Sequence, residues 1–338
     1  MKLAPSGPTL IVQPLPGIGD MVWHLPHIHA IAATTIAGKV DILTKPRSQA
    51  DRLLRADPQV GKILWLERES GRHAGLGGVL RLATALRQGG GYQRVWILHG
   101  SARYALAAWL AGIPERLGYG VGLQSLLLTV PVHLPPERRH AHPILRADAL
   151  LDVLGIARGE KEPRLALATE ADRAMAARFA TWPTPWIALG VGSSETWKQW
   201  GAARFAELTL ALNHRRAGSI FIVGGSAERP LAEDILARVR DDGGAAVDAV
   251  ALPLEQVAAL LARCCCYIGN DTGVLNMAAA LQVPAIGLFG GSAPLWHSRF
   301  IHPLLPPAGE RGMAAITVSQ VLEALARWSG PDVHHTLA

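Results

Sequence analysis

A carboxylate follows two glycines near the N-terminus, in the run Gly17-Ile18-Gly19-Asp20. Glycines allow the backbone to approach a ligand closely and to adopt positive φ. Asp20 falls at the start of a predicted helix, where a carboxylate can cap free N–H groups. It can also face the crevice at the carboxyl end of the preceding strand and act as a general base. Both interpretations stay open here, but a dinucleotide fingerprint is excluded because its third glycine would fall at Val22.

A second segment, residues 190–200, combines small residues, hydroxyls and a lysine between a predicted strand and a predicted helix. A phosphate site needs backbone N–H groups, hydroxyl donors such as Ser193 and Ser194, and a mobile cation such as Lys198. The segment is not a Walker A loop, since the Gly-Lys-Ser/Thr order is absent. A phosphate site and a solvated loop are both compatible with it.

A third segment, residues 269–280, places Asp271, Thr272 and Gly273 between a strand and a helix. Asp271 or Thr272 can cap that helix, whose N–H groups and dipole then face an anion. Glu228 follows Gly224-Gly225 after another strand, a position from which carboxylates often hold a ribose diol. These segments predict a phosphate cradle in the second half of the chain.

Composition restricts the class of protein. The chain has 338 residues, 49% apolar and 18% charged, which excludes a disordered polar chain and predicts two domains. Mean hydropathy is +0.20, but polar and helix-breaking residues interrupt the longest apolar stretch, residues 272–289, so no spanning helix is expected. The N-terminus does not resemble a secretory signal. Three adjacent cysteines, residues 264–266, indicate a buried strand in a reducing cytoplasm.

The excess positive charge lies in the first half. Residues 1–160 hold 18 Lys and Arg against 11 Asp and Glu, whereas residues 161–338 hold 15 against 16. A basic half suggests an anionic partner. Nucleic acid is not expected, because aromatic residues are not interleaved with the basic ones.

Short apolar runs alternate with helical patterns along the whole chain, which predicts parallel sheets covered on both faces. The predicted strands are residues 9–13, 40–44, 62–66, 95–99, 186–190, 219–223, 246–249, 267–269 and 285–289. The predicted helices include residues 23–33, 104–111, 170–181, 203–213, 230–240, 254–263, 273–281 and 318–328. The polar stretch 157–185, with its prolines, predicts the seam between two domains.

The order and spacing of these motifs resemble glycosyltransferase family 9, the ADP-heptose:lipopolysaccharide heptosyltransferases. The resemblance runs from about residue 9 to residue 325 and is carried by Gly17-Ile18-Gly19-Asp20 with Leu25-Pro26, Lys198-Gln199-Trp200, Gly224-Gly225 with Glu228, and Asp271-Thr272-Gly273 with Leu288-Phe289-Gly290. It implies an α/β GT-B fold, with two facing Rossmann-like domains and the active site in the cleft between them. The expected divisions are an acceptor domain over 1–165, a nucleotide-sugar domain over 166–316, and a terminal helix over 317–330 packing back across the seam.

The resemblance also implies a reaction and its residues. The expected reaction is an inverting, metal-independent transfer of a heptose from ADP-heptose to a lipopolysaccharide core acceptor, without a cofactor. Asp20 matches the catalytic base. The positions that match donor binding are Gly19, Ser193, Ser194, Lys198, Glu228, Asp271, Thr272, Gly273 and Asn276.

The acceptor is expected to be an anionic glycolipid bound by the basic domain. Candidate arginines are Arg47, Arg72, Arg103, Arg138 and Arg139. The expected location is the cytoplasm, with a peripheral contact on the cytoplasmic face of the inner membrane left open. Three histidines, His24, His27 and His29, lie on one predicted helix, but their spacing does not favour a metal site.

Three departures from the family pattern bear on the donor. Asn276 stands where the family usually has His, Ala293 where a carboxylate is common, and Gly201 where Pro is common. Asn can donate a hydrogen bond but cannot become a cation. The alternatives are therefore a transferase of the same fold with another nucleotide-sugar or a non-lipid acceptor, and a non-catalytic protein that binds sugar nucleotides.

Overall fold

The structure is a computed structural model that describes residues 3–68, 71–130, 132–294 and 296–328. The chain divides into two compact units, Met1–Pro163 and Arg164–Ala338. The sequence places this division at residue 165. Each unit is an α/β layer structure around its own parallel sheet.

The first unit has a five-stranded parallel sheet in the order β3-β2-β1-β4-β5. Its strands are β1 (Thr9–Val12), β2 (Val40–Thr44), β3 (Val60–Trp65), β4 (Arg94–Ile97) and β5 (Glu115–Gly118). Its helices are α1 (Ile18–Trp23), α2 (Leu25–Ala32), α3 (Ala50–Leu53), α4 (Gly75–Gly90), α5 (Ala102–Leu110) and α6 (Pro143–Val153). Residues of β1 are buried on both faces, as expected for a central parallel strand.

The second unit has a six-stranded parallel sheet in the order β11-β10-β9-β6-β7-β8. Its strands are β6 (Trp186–Gly190), β7 (Ser219–Gly224), β8 (Val247–Val250), β9 (Cys264–Asn270), β10 (Ala285–Leu288) and β11 (Ile301–Leu304). Its helices are α7 (Thr169–Arg178), α8 (Ala202–His214), α9 (Arg229–Asp241), α10 (Leu254–Leu261), α11 (Gly273–Ala280) and α12 (Val318–Trp328).

Each sheet reverses its strand order once. In the first sheet the reversal lies between β1 and β4, and in the second between β6 and β9. Open α/β sheets bind ligands outside the carboxyl ends of the strands at this point. The loops after β1, β6 and β9 are therefore the parts of the two units that the topology selects for function.

Close packing at the second reversal depends on two glycines. A Cβ at Gly190 would lie 1.8 Å from the Tyr267 hydroxyl, and one at Gly269 would lie 2.5 Å from both that hydroxyl and the Gly190 carbonyl. The tyrosine ring thus fills the space that side chains would take, and β6 and β9 remain paired up to their carboxyl ends.

The terminal helix begins at a capping box, as the sequence predicts. Thr317 Oγ1 accepts a hydrogen bond from Gln320 N at 3.2 Å, and Thr317 N donates to Gln320 Oε1 at 2.8 Å. The helix packs against α8 and β10 of its own unit. The last two residues of the predicted terminal segment, 329 and 330, lie outside the described residues.

One predicted helix is wrong in its extent. The sequence suggests a single helix over residues 23–33, whereas the chain forms α1 and α2, which meet at His24. Pro26, at the second position of α2, lacks the N–H that a continuous helix would need, so a new helix starts there. In the described ranges, no helix combines the length and apolar character that crossing a membrane requires.

Candidate active site

Asp20 lies in the first turn of α1, directly after the central strand β1. Its Oδ2 accepts a hydrogen bond from the N–H of Gly17, the residue before the helix, at 3.0 Å. A Cβ at position 17 would lie 2.7 Å from the same oxygen, so glycine is needed for this approach. The structural role predicted for Asp20, satisfying an N–H group at the helix start, is confirmed.

The environment of Asp20 favours a proton acceptor of raised basicity. Burial raises the pKa of this carboxyl, and the Gly17 N–H and the charge of His142 oppose the rise without cancelling it. Within the described part of the chain, no lysine or arginine forms an ion pair with it. A carboxylate without a cationic partner keeps its lone pairs available for an incoming hydroxyl.

Two buried histidines lie next to Asp20. His24 Nδ1 is 2.6 Å from the backbone oxygen of Asp20, and the ring centroids of His24 and His27 are 5.5 Å apart. His27 Nε2 is 2.8 Å from Asp148 Oδ1, and Asp148 also pairs with Arg158. Burial lowers the pKa of both histidines to about 3, so both rings are neutral at physiological pH. They hold the α1–α2 junction as uncharged core residues.

Asn270, the last residue of β9, ties together the loop that follows β6. Its Nδ2 donates to the carbonyls of Val191 at 3.0 Å and Gly192 at 3.1 Å, and its Oδ1 accepts from Trp200 N at 3.3 Å. The side chain is fully buried. Asn270 thus fixes both ends of the 191–200 loop, a role that sequence reasoning missed. The available signal was an amide at the carboxyl end of an apolar strand.

Lys198 and Asp271 meet at the second reversal point. Lys198 Nζ lies 3.1 Å from Asp271 Oδ2 and 2.9 Å from Glu195 Oε2. Ser292 Oγ donates to Asp271 Oδ2 at 2.8 Å. Burial of the ammonium lowers the pKa of Lys198, but the two carboxylates outweigh this and raise it, so the cation is fixed at neutral pH. The structure therefore brings together two of the predicted donor residues.

The predicted side-chain cap of α11 is wrong. Thr272 occupies the N-cap position, but its side chain makes no capping hydrogen bond. The Asp271 carboxylate is engaged by Lys198 and Ser292 instead. In the part of the chain that the structure describes, no side chain accepts a hydrogen bond from the first N–H groups of α11, which begin with Gly273, and such groups suit an anion.

The two predicted serines occupy the loop after β6. Ser193 Oγ donates to the Glu195 carbonyl at 3.0 Å and accepts from Glu195 N at 3.2 Å, which shapes the turn before Lys198. Ser194 is exposed. Ser193 is half-buried and its hydroxyl is engaged in its own turn, whereas Ser194 is an exposed residue.

Two further predicted donor residues lie near Lys198 and Asp271 in the chain's topology: Glu228 follows β7, and Asn276 lies in α11, the helix after Asp271. Glu228 Oε2 accepts from Gly225 N at 2.8 Å, and a Cβ at Gly192 would lie 3.2 Å from its carboxyl carbon. The carboxylate therefore covers the start of the 191–200 loop. Asn276 is buried in α11, and its Oδ1 has no hydrogen-bond partner among the described residues.

The candidate acceptor arginines differ in their surroundings. Arg47, Arg138 and Arg139 are exposed. Arg72 pairs with Glu67 at 3.2 Å. Arg103 donates to the carbonyls of His73 at 2.7 Å and Gly75 at 3.3 Å, so it also holds the start of α4. No set of three His, Cys, Asp or Glu side chains in the described ranges is placed to hold a metal ion.

The sequence matches the model of glycosyltransferase family 9 (heptosyltransferase) over residues 79–305. It is similar to lipopolysaccharide heptosyltransferase 2 of Salmonella typhimurium, with 28% identity over 227 residues. That alignment covers 63% of this chain and 64% of the relative, so the chain matches just under two thirds of that relative's length.

Solved structures share the fold. A structure of E. coli ADP-heptose lps heptosyltransferase II has a TM-score of 0.74 at 22% identity and covers 95% of this chain and 98% of its own. The E. coli heptosyltransferase WaaC with ADP-2-deoxy-2-fluoro heptose has a TM-score of 0.72 at 20% identity, covering 94% and 99%. Both likenesses support the GT-B class predicted from the sequence. With a family model that spans well over half of its residues, the chain belongs to glycosyltransferase family 9, the heptosyltransferases.

Proposed function

We propose that this protein transfers a heptose from ADP-heptose to a lipopolysaccharide core acceptor, with inversion and without a metal ion. Family membership supports the reaction class, and the WaaC complex shows a relative binding an ADP-heptose analogue. The observation that carries the proposal is the contrast between the sites at the two reversal points. Among the described residues, no lysine or arginine pairs with the carboxylate of the first site, whose pKa is raised by burial, and the second site holds Lys198 next to a helix N-terminus that no N-cap side chain satisfies.

The mechanism divides the chemistry between these sites. Asp20 removes the proton of the acceptor hydroxyl while that oxygen forms a bond to the anomeric carbon of the sugar. The bond from the anomeric carbon to the phosphate oxygen breaks, and its electron pair leaves with ADP. One displacement inverts the configuration at that carbon. Asp20 ends protonated, and the product glycoside and ADP are released.

Charge on the departing diphosphate is the largest electrostatic demand of this reaction. Lys198, the hydroxyl of Ser194 and the N–H groups that begin with Gly273 supply positive charge and donors, while Ser193, whose hydroxyl donates to the Glu195 carbonyl, shapes the loop. Glu228, after β7, is the proposed partner of the ribose diol. These groups can replace the role that a divalent ion has in other transferases.

We also propose that the acceptor is an anionic glycolipid that the basic first unit recognises, with peripheral contact to the cytoplasmic face of the inner membrane. The charge of residues 1–160 supports this, since this part of the chain has 18 basic side chains and 11 acidic ones. Lipid-anchored substrates are presented at a membrane surface, which an enzyme of this charge approaches favourably.

A second candidate is the same reaction with a different nucleotide-sugar or a non-lipid acceptor. It is favoured by Asn276, which replaces a residue able to become a cation and which leaves its Oδ1 unpartnered among the described residues. A buried acceptor of this kind is suited to a sugar hydroxyl rather than to a phosphate.

The test is a transfer assay with purified protein and a panel of donors. ADP-heptose is compared with ADP-glucose and UDP-glucose on core-truncated lipopolysaccharide, with product detection by mass spectrometry and anomeric configuration by NMR. We expect product only with ADP-heptose, of inverted configuration, and unchanged rates in EDTA. Product from another donor would select the second candidate. Donor binding without product from any donor would indicate a non-catalytic sugar-nucleotide-binding protein. Loss of a heptose from the lipopolysaccharide of a deletion strain is the matching cellular observation.

A further inference from the structure

Four leucines of the first unit lie largely in solvent. Leu76 and Leu80, one turn apart on α4, are 83% and 59% exposed, and Leu123 and Leu126, in the short helical segment Gly122–Leu127, are 73% and 80% exposed. Leucine is among the residues most often buried, and clustered exposed leucines mark an interaction surface.

The two leucine pairs flank the same end of α5. Arg103, in the first turn of α5, donates to the Gly75 carbonyl at 3.3 Å, next to Leu76. Gln124 Nε2, next to Leu123, donates to the Ser101 carbonyl at 3.4 Å. These connections follow the carboxyl ends of β3, β4 and β5, and Asp20 follows the carboxyl end of β1 in the same parallel sheet. Leu76 and Leu123 therefore lie at the carboxyl end of the sheet, the end that carries the proposed base.

The sequence around the leucines is basic, since residues 71–134 contain six arginines and one carboxylate, Glu115. Arg87 lies away from the leucines, because it donates to the Leu110 carbonyl at the far end of α5, and Arg72 pairs with Glu67 at 3.2 Å. Glu115 is paired with the buried Arg94 at 2.5 Å. Arg81 and Arg103 donate to backbone carbonyls, and no carboxylate among the described residues forms an ion pair with either. Leu76, Leu80, Leu123 and Leu126 together with Arg81 and Arg103 are here called the leucine–arginine surface.

We propose that the leucine–arginine surface docks on an anionic phospholipid bilayer. Exposed leucines can enter the interfacial region, while arginines attract acidic headgroups, and the two contributions together give stable peripheral binding. A second copy of the chain fits this surface poorly, because a symmetric contact would bring the same positive charges together. The inference rests on the proposed function, since docking here brings the edge with Asp20 to a lipid-anchored acceptor.

The test is vesicle co-sedimentation of the full chain. Vesicles of phosphatidylcholine alone are compared with vesicles containing phosphatidylglycerol, at low and high salt. The variant replaces all four leucines with Ser. The matched control is Ile36→Ser, because Ile36 is 77% exposed in the same unit but lies between α2 and the start of β2, at the opposite edge of the sheet. Surface substitutions of this kind usually change stability little.

We expect the wild type and Ile36→Ser to bind phosphatidylglycerol vesicles equally and the four-leucine variant to bind at least about tenfold more weakly. The variant should keep its activity on a delipidated, water-soluble acceptor. Equal vesicle binding by the variant would overturn the proposal. Loss of activity on the soluble acceptor would assign the leucines to acceptor binding, and a change from dimer to monomer would assign them to self-association. If no acceptor is glycosylated at all, the proposed function fails, whereas vesicle binding still decides the surface.

A separate observation concerns Trp197 in the second unit. Its side chain is 52% exposed, and its ring centroid lies 5.0 Å from Lys198 Nζ. The ring packs on Gly291, where a Cβ would lie 3.1 Å from it. A large indole is thus held by the backbone beside the proposed phosphate cation while much of its surface remains open to a ligand.

The order of the strands indicates which part of the donor would lie against the exposed face of the Trp197 indole. Glu228 follows β7, Lys198 and Asp271 follow β6 and β9, and Gly291 follows β10, in that order across the sheet. With ribose at Glu228 and diphosphate at Lys198, as the proposed function requires, the transferred sugar falls beside Trp197. We infer that the Trp197 indole stacks on that sugar and helps to select it.

Kinetics of Trp197→Ala and Trp197→Phe test this inference, with Trp182→Ala as control because Trp182 is 37% exposed before the amino end of β6. We expect the donor KM to rise about tenfold in Trp197→Ala and much less in Trp197→Phe. The inhibition constant of ADP, which lacks the sugar, should not change. An equal loss of ADP affinity would place the indole at the nucleotide instead, and an unchanged KM would exclude any donor contact. If no donor is turned over, the proposed function fails, and binding of ADP-heptose against ADP by calorimetry tests the stacking directly.

Discussion

The two reversal points of this protein use the same architecture for opposite electrostatics. After β1, the half-buried Asp20 accepts one backbone N–H and has a raised pKa. After β6 and β9, Lys198 lies between two carboxylates. Burial raises the pKa of Asp20 by disfavouring its charged form, whereas the two carboxylates raise the pKa of Lys198 by stabilising its charged form. The comparison shows that a parallel sheet supplies a position, while neighbouring residues decide whether that position holds a base or a cation.

Removing the base should have the largest effect. Asp20→Ala and Asp20→Asn are expected to lower kcat by roughly 10²–10⁴, the usual contribution of a general base, while donor affinity by calorimetry is retained. Asp51→Asn, on an exposed carboxylate of α3, is the control. Near-normal turnover in either Asp20 variant would contradict the assignment.

The raised pKa of Asp20 gives this prediction a pH dependence. A base must be deprotonated, so kcat/KM should fall as pH falls, at a pH above the ordinary aspartate value of 3.8. A carboxyl whose pKa is higher in the folded protein than in the unfolded chain stabilises the folded protein at pH values below its ordinary pKa. This stabilisation is lost as pH rises through the folded-state pKa. Asp20→Asn, which keeps an acceptor for Gly17 N, should therefore raise the unfolding temperature at pH 7 although it removes activity.

Removing the cation should have the next largest effect. Lys198→Ala is expected to cost about 10²–10³ in kcat, because one preorganised donor to the departing charge is lost. Unlike the Asp20 variants, it should also weaken ADP binding. Lys161→Ala, on a lysine remote in sequence from the cluster, is the control. Unchanged ADP affinity in Lys198→Ala would show that the diphosphate lies elsewhere.

Acid should weaken the two sites unequally. His24 and His27, next to Asp20, have pKa values lowered to about 3 by burial, against an ordinary 6.5. These neutral, buried histidines stabilise the folded protein above pH 6.5, and this stabilisation is lost as pH falls towards 3. The free energy of unfolding falls by up to about 1.4 kcal/mol per pH unit for each histidine. The side chain that fastens the loop of the second site, Asn270, does not titrate.

Urea unfolding at pH 7 and pH 5 measures this difference. The wild type should lose stability over that interval, and the double variant His24→Gln with His27→Gln should lose less. His214→Gln, on an exposed histidine of α8, should follow the wild type. The same slope in all three proteins would show that the buried rings do not account for acid sensitivity.

The smallest effect is expected from Glu195. Its carboxylate, 46% exposed, competes with a bound phosphate for Lys198, and exposed ion pairs contribute at most about 1 kcal/mol. Glu195→Gln should therefore tighten ADP binding by no more than about fivefold, most clearly at low salt. Weaker binding in this variant would indicate that Glu195 helps to orient the lysine instead.

Much of the fold follows from the apolar pattern alone. Residues 40–44 and 186–190 are predicted to the residue, because each apolar run is short and clearly bounded. β5 and β11 escape prediction. Glu115 and Arg116 interrupt the apolar pattern of the first, and His302 and Pro303 that of the second. Both are edge strands, where polar residues and proline are tolerated.

The candidate site is predictable only in part. Lys198 and Asp271 are suggested by residue type and by the spacing that resembles the family, and the structure places them in contact. The role of Asn270 is not predictable in this way, since its partners at Val191 and Trp200 lie about 70–80 residues away and depend on the pairing of β6 with β9. The side-chain cap expected from Asp271 or Thr272 is wrong, because Thr272 makes no capping hydrogen bond and Asp271 contacts Lys198 and Ser292, partners that local sequence does not reveal.

The single amide of Asn270 has a consequence for the thermodynamics of donor recognition. Because one buried side chain fastens the loop to the strand that continues into Asp271, the groups of the proposed diphosphate site are held in place before any ligand arrives. Association then avoids most of the conformational entropy that a free loop would lose, which favours affinity at no cost in contact area. Heat-capacity and entropy changes measured by titration calorimetry should accordingly resemble those of a rigid receptor rather than of coupled folding.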